Sequence, residues 1–374
     1  MRKLSAQYIF TNAGRPLKRG IITVDDNGFI IDIEDTNGLL TEKSSVEFYN
    51  GIIAPGFVNC HCHLELSHLK GKIDEGKGLG YFIEQVVKQR DINFDKIKNA
   101  AEADKAMFNE GISLCADICN NDSTFTIKKN SRIKYINLLE VFGLDSSKAQ
   151  NQIDKIIKIS KASTNHNIPY NFVPHAVYST SLALFRLLKQ LSHANRVTSI
   201  HFMESENESD FLTSHSESLL KNNADVVLNE IALSGNLILV HNTFISKEIL
   251  RTVNKRPNLF LCLCPASNIY IEEKLPPVYM LKEETENIVI GTDSLASNKK
   301  LSILEELKIL QHHFPTITFG ELIRWATING AIALGEKEFF GTIEAGKNPE
   351  LILIENVDLE NMKLKPESFV MRLI

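Results

Sequence analysis

From Pro55 onward, short apolar runs alternate with amphipathic stretches. The runs are "GFVNCH" (56–61), "ISLCAD" (112–117), "YINLLEVFG" (135–143), "YNFVPH" (170–175), "VTSIHF" (197–202), "NLILVH" (236–241), "LFLCLC" (259–264) and "NIVIGTD" (287–293). Short, nearly continuous apolar runs read as strands covered on both faces, as in a parallel sheet. Between them, "DKIKNAAEADKAMFNEG" and "SSKAQNQIDKIIKISKAS" carry apolar residues at helical spacing. Eight strand–helix units over roughly 280 residues match the count and length of a (β/α)8 TIM barrel. The pattern therefore predicts an α/β fold with this barrel over residues 55–340.

The two ends have a different texture. Residues 1–54 contain short β-rich runs broken by Asn-Ala-Gly and Asp-Asn-Gly turns, and "GTIEAGKNPELILIENV" and "ESFVMRLI" return to β-like text. The simplest arrangement joins residues 1–54 and 341–374 into one small β-sandwich domain beside the barrel. The chain shows no internal repeats, low-complexity stretches or long linkers.

Composition narrows the class. The 374 residues are 43% hydrophobic and 23% charged, as in ordinary soluble domains. A net charge of -5 leaves no footprint for nucleic acid. No segment approaches the roughly 20 apolar residues of a membrane helix, and "MRKLSAQYIFTNAG" lacks a signal-peptide core. A cytoplasmic protein is expected. Cys60, Cys62, Cys115, Cys119, Cys262 and Cys264 lie in or beside apolar runs without a C-x-x-C, which reads as buried, reduced thiols.

Candidate chemistry lies at the strand ends. Residues two apart on a strand share a face, so His61 and His63 can converge, and an imidazole pair there suits a metal. On its own the H-x-H is weak, since two solvated histidines at a strand end fit as well. His175, His201 and His241 follow the fourth, fifth and sixth runs, and Asp293 ends the eighth. A barrel carries its chemistry at the C-terminal ends of its strands, and unrelated strand ends have no reason to agree. Histidines 68, 166, 193, 215, 312 and 313 fall in loops or helical stretches, and His68 has no role.

These motifs, in order, resemble the amidohydrolase superfamily, in particular its branch of nucleoside, guanine and triazine aminohydrolases and chlorohydrolases. "PGFVNCHCHLELS" resembles the first-strand H-x-H signature, "PHAVYSTS" the fourth-strand P-H-x-x-Y-[ST] segment and "HFMESENE" the fifth-strand H-x-x-E. "LVHN" resembles the sixth-strand histidine, "CPASN" the segment after the seventh and "GTDSLASN" the eighth-strand aspartate. "GTIEAGKNPELILIE" is similar to the return into the β domain, departing from the usual G-K-x-A-D at Asn348-Pro349-Glu350.

The resemblance implies that His61, His63, His201 and Asp293 hold one divalent metal, Zn first and Fe second, since both accept imidazole and carboxylate. Such an ion lowers the pKa of water from ~15.7 toward ~7. Binuclear relatives share a bridging lysine typically found on the fourth strand, and "YNFVPHAVYS" contains none. By the same resemblance Asp293 takes a proton from water, Glu204 shuttles it to the substrate and His241 stabilises an oxyanion. A solvated carboxylate is the alternative for Glu204, and Glu206 and Glu208 read as solvated. His175 is expected to meet the substrate. Asn268 faces the substrate or makes a turn, and Glu65 binds a substrate hydroxyl or amine or orients a ligand.

The function so implied is hydrolytic deamination of a nitrogen heterocycle, with ammonia released. "HLELS" and "GTDSLASN" look most like the adenosine-type members, acting on aminodeoxyfutalosine, with S-adenosylhomocysteine, methylthioadenosine or adenosine close behind. A chlorohydrolase, a cyclic amidohydrolase and a non-catalytic binding relative are the alternatives. The partner is a small heterocyclic substrate, and the resemblance allows a homodimer.

Overall fold

A computed structural model describes residues 1–39, 45–92, 95–206, 208 and 223–374. The chain begins with β1 (Arg2–Ile9), β2 (Leu17–Lys18), β3 (Ile21–Val24), β4 (Ile30–Glu34) and β5 (Val46–Pro55). There follow β6 (Phe57–Cys62), β7 (Ile112–Cys119), β8 (Lys134–Val141), β9 (Tyr170–Pro174), β10 (Val197–Phe202), β11 (Asn236–His241), β12 (Leu259–Leu263) and β13 (Ile288–Ile290). Strands β14 (Leu351–Glu355) and β15 (Phe369–Arg372) close the chain. Each apolar run named above forms a strand, and the two amphipathic stretches form helices Lys96–Asn109 and Ala149–Asn165.

Strands β6 to β13 make two parallel four-stranded sheets, each in sequential order. The sheets meet at both edges. The N–H of His201 donates to the carbonyl of His175 (2.9 Å), while those of Thr292 and Asp293 donate to the carbonyl of His61 (3.0 and 3.1 Å). Bridges pair Ala176 with His201 and Cys62 with Asp293. The candidate site residues thus sit on the backbone that ties the sheets together.

The absence of alternation has a packing cause. Every residue of β7 is buried. Ile112, Cys115 and Cys119 join one apolar cluster, and Leu114, Ala116 and Ile118 join another. A strand covered on both faces has no solvent side to mark with polar residues. All six cysteines are buried and free.

The terminal segments share a seven-stranded sheet in the order β15-β14-β5-β1-β3-β4, with β2 on β1. A sandwich calls for two layers. Here the hydrogen bonds run through one sheet, because β5 pairs with β1 on one edge and antiparallel with β14 on the other. The N–H of Gly56, bonded to the Glu350 carbonyl at 2.7 Å, marks the passage from β5 into β6. Among the described residues no helix is long and apolar enough to cross a membrane.

Candidate active site

His61 and His63 leave β6 with their Nε2 atoms 3.1 Å apart. Asp293 Oδ1 lies 3.5 Å from His61 Nε2 and 3.4 Å from His63 Nε2. The ring of His201 centres 4.8 Å from that of His61 and 5.4 Å from that of His241, which it stacks on. Donor atoms of His61, His63 and Asp293 fall within 4.8 Å of one another, as do those of His61, His201 and His241. All five residues are buried.

Two of these groups are oriented from behind. Ser267 and Ser297 each donate to Asp293 Oδ2 at 2.6 Å, which turns Oδ1 toward the imidazoles. His201 Nδ1 lies 2.8 Å from the His175 carbonyl. A carbonyl can only accept, so Nδ1 carries the proton and Nε2 keeps its lone pair. Burial, reinforced by the neighbouring imidazoles, pushes His63 down to about 3 and His201 well below the usual imidazole range. Burial would raise Asp293, but its interactions with the imidazoles packed on it, His61 first, outweigh burial and hold the carboxyl well below its usual value. Neutral imidazoles at His63 and His201 beside an ionised Asp293 are protonation states that metal binding needs, and the donor set fits a divalent ion.

The backbone here is strained. Asp293 (φ +55°), His241 (φ +75°), Asn242 (φ +57°) and Met203 (φ +50°) all lie in the left-handed region. Such conformations cost about 1–3 kcal/mol each and persist where the surroundings over-determine them. Gly291 shows how close the packing is. A Cβ there would fall 2.8 Å from His61 Cβ and 3.0 Å from the sulfurs of Cys262 and Cys264.

Glu204 stands beside this cluster, 4% exposed, with Oε1 3.5 Å from His241 Nε2. Burial, then the charge of Asp293, raises its carboxyl well above the usual range. Asn268 Nδ2 donates to His241 Nδ1 (3.1 Å) and to Thr243 Oγ1 (2.8 Å). The neutral His241 ring therefore carries its proton on Nε2, the atom facing Glu204. Burial pushes His241 down to about 3. His175 lines the same cavity with Nδ1 against Ser179 Oγ at 2.7 Å, and burial lowers it to about 4.

Several sequence expectations are corrected. Asn268 is 1% exposed and belongs to the wall behind His241, because both hydrogens of its amide are spent there. Glu65 binds the N–H of Asn120 (3.2 Å) and Nδ2 of Asn121 (2.9 Å) through Oε2, which turns it to the loop after β7 rather than to the cavity. Burial raises it to about 7. Glu208 is buried: it accepts from the N–H groups of Met203 (2.8 Å) and Glu204 (2.6 Å), pinning the turn that carries Glu204. Glu206 is exposed. His68 is buried in a 3-10 helix, Leu64–Leu69, with Nε2 3.2 Å from the Arg90 carbonyl. His215 lies outside the described residues.

The cavity over the cluster has a volume of about 280 Å³. Its inner end is formed by His63, His175, His201, Glu204, His241 and Asp293. Its outer wall is the face Leu79, Phe82, Ile83, Val86 and Val87 of helix Gly78–Gln89. Arg90, Asn120 and Glu140 add polar groups to the lining. Glu140 went unnoticed in the sequence, although an acid near the end of "YINLLEVFG" occupies the kind of strand-end position the histidines do. Burial raises it to about 7.

The model of the amidohydrolase family matches residues 52–371. An adenosine deaminase of Helicobacter pylori is 26% identical over 351 residues, covering 86% of this chain and 84% of that protein. The crystal structure of H. pylori aminofutalosine deaminase with methylthio-coformycin superposes with a TM-score of 0.75 at 22% identity, covering 98% of this chain and 94% of that one. The structure of atrazine chlorohydrolase from Arthrobacter aurescens complexed with zinc gives 0.79 at 17% identity, covering 94% and 86%. At these identities the structural likeness shows the fold.

Proposed function

The chain belongs to the amidohydrolase family, and we propose that it is a metal-dependent aminohydrolase that removes the exocyclic amino group of an adenine nucleoside as ammonia. The observation that carries this reading is Glu204, a buried carboxyl with Oε1 3.5 Å from His241 Nε2, whose pKa burial raises well above the usual range. The apolar face of helix Gly78–Gln89 favours a nucleoside bearing an apolar substituent, such as methylthioadenosine, over bare adenosine.

In this reading His61, His63, His201 and Asp293 hold one divalent ion, zinc before iron. The ion, when bound, supplies acidified water. Asp293 takes the proton of the attacking water, and its bonds from Ser267 and Ser297 fix the oxygen that receives it. Glu204 protonates the ring nitrogen next to the carbon under attack, which makes that carbon more electrophilic; the proton that Asp293 took from water then passes by way of Glu204 to the departing amine, which leaves as ammonia, and the other water proton restores Glu204. His241 donates its Nε2 hydrogen to the oxygen on which charge develops. His175 meets the base.

The two parallel sheets are read as one closed (β/α)8 barrel over residues 55–340, with residues 1–54 and 341–374 as a β domain beside it. A cytoplasmic protein with a small-molecule substrate, assembled as a homodimer, completes the proposal. The test is an ammonia-release screen over adenosine, methylthioadenosine, S-adenosylhomocysteine, aminodeoxyfutalosine, guanine, cytosine and triazines, with metal measured on the same sample. Ammonia from the adenine nucleosides supports the reading. Chloride released from a chlorotriazine, with no ammonia from any nucleoside, replaces it with the chlorohydrolase alternative.

A further inference from the structure

Among the described residues that line the cavity, Glu140 is the one carboxyl that the proposed reaction does not use. It is the second-last residue of β8 and 5% exposed. Its two oxygens have different surroundings. Oε2 accepts from Asn120 Nδ2 at 2.9 Å. Oε1 is buried and has no hydrogen-bond partner among the described residues. A nearby donor atom, His201 Nδ1 at 3.8 Å, is already committed to the His175 carbonyl at 2.8 Å. A buried acceptor left empty costs free energy unless something else fills it. Glu140 and Asn120 both line the cavity over the cluster.

A metal ion is one candidate to fill it, since Glu140, His175 and His201 offer donor atoms within 4.8 Å of one another. Their geometry argues against one. His201 would have to use Nδ1, and that nitrogen already donates to a carbonyl. His175 offers Nε2, but with Nδ1 held by Ser179 the site keeps only one imidazole and one carboxylate. Two protein ligands are too few for a tightly held ion. A hydrogen-bond donor on the substrate fits better. Glu140 shares the cavity with Glu204 and His241 of the reacting end and with the apolar helix wall. In a nucleoside, the group between base and 5′ substituent is the sugar.

We infer that Glu140 is a specificity residue whose Oε1 accepts a hydrogen bond from a sugar hydroxyl, with Asn120 holding the carboxyl in place. The inference rests on the nucleoside deaminase reading above. It assigns this cavity to ribonucleosides over free bases and over nucleosides lacking that hydroxyl. Since the contact lies away from the reacting carbon, it governs binding more than the chemical step.

The experiment compares wild type, Glu140→Gln and Glu140→Leu on adenosine, 2′-deoxyadenosine, 3′-deoxyadenosine and adenine. Ammonia release is followed, nucleoside binding is measured by calorimetry, and metal is counted per chain. Support is a KM for adenosine raised about 10-fold or more in Glu140→Leu, with kcat within about threefold and one metal retained. It also requires one deoxynucleoside to respond little to the substitution. Glu140→Gln, which keeps an acceptor and the shape, should lie between. Wild-type KM in both variants overturns the inference and leaves the deaminase reading standing. A second metal equivalent present in wild type and lost in both variants makes Glu140 a ligand and also overturns it. A wild type that neither binds nor deaminates any nucleoside overturns both.

Discussion

Replacing Glu204 by Gln separates chemistry from architecture. The carboxyl is 4% exposed and burial favours its neutral form, which the amide matches in shape and charge. The swap should change stability by less than about 1 kcal/mol. Metal should also stay, because the four proposed donors come from His61, His63, His201 and Asp293. What the amide cannot do is give up and regain a proton. Positioned general acid–base groups contribute about 10²- to 10⁴-fold, equivalent to about 3–5 kcal/mol of barrier. The expected result is a kcat lower by that factor, with melting temperature and metal content unchanged. A coupled ammonia assay, a thermal melt and elemental analysis on one sample measure all three. The raised carboxyl also sets a pH signature: wild-type kcat should fall on the alkaline side as Glu204 loses its proton, and the variant should lack that limb. Turnover within about threefold of wild type would remove Glu204 from the mechanism, and metal lost together with activity would make it a ligand instead.

Asn268→Ala removes the donor that fixes the His241 tautomer and leaves His241 Nδ1 and Thr243 Oγ1 buried without it. A kcat lower by about 10-fold or more, at constant metal content, is expected from a loss of about 1–3 kcal/mol, and steady-state kinetics showing wild-type kcat would refute the tautomer argument. Gly291→Ala drives a methyl group against His61 Cβ and two sulfurs. It should cost about 1–3 kcal/mol and shift the midpoint of a chelator titration toward easier metal loss, whereas an unchanged midpoint would contradict the close approach. Glu306 is raised from 4.5 to about 8, chiefly by burial. The folded state then holds a proton that the unfolded chain has released, so its contribution is complete below about pH 4.5 and drains away up to about pH 8. Glu306→Gln should therefore gain stability over wild type between pH 5 and pH 9, by up to about 5 kcal/mol. Denaturant melts at both pH values that give the same difference would contradict this.

The parts legible in the sequence were those set by periodicity and by strand-end chemistry. A run such as "VTSIHF" states both its strand and the histidine that ends it, and β10 spans Val197–Phe202 as read. Contacts made across the fold were not legible. Asn268 sits 27 residues from His241 and Glu140 sits 20 residues from Asn120, and neither pairing leaves a local pattern. Glu208 looked solvated because "ESENESD" is rich in acids, yet the turn after β10 presents the N–H groups of Met203 and Glu204, from which this carboxylate accepts. The apolar face of helix Gly78–Gln89 reads in sequence as an ordinary core face. Only the topology places it over the cavity.

The account depends on distant residues meeting around a single ion, and anomalous diffraction at the zinc edge from crystals grown with one equivalent of zinc tests this most directly. It predicts one peak per chain, enclosed by His61 Nε2, His63 Nε2, His201 Nε2 and Asp293 Oδ1. Absence of a peak there, or a peak between Glu140 and His175 instead, would contradict it.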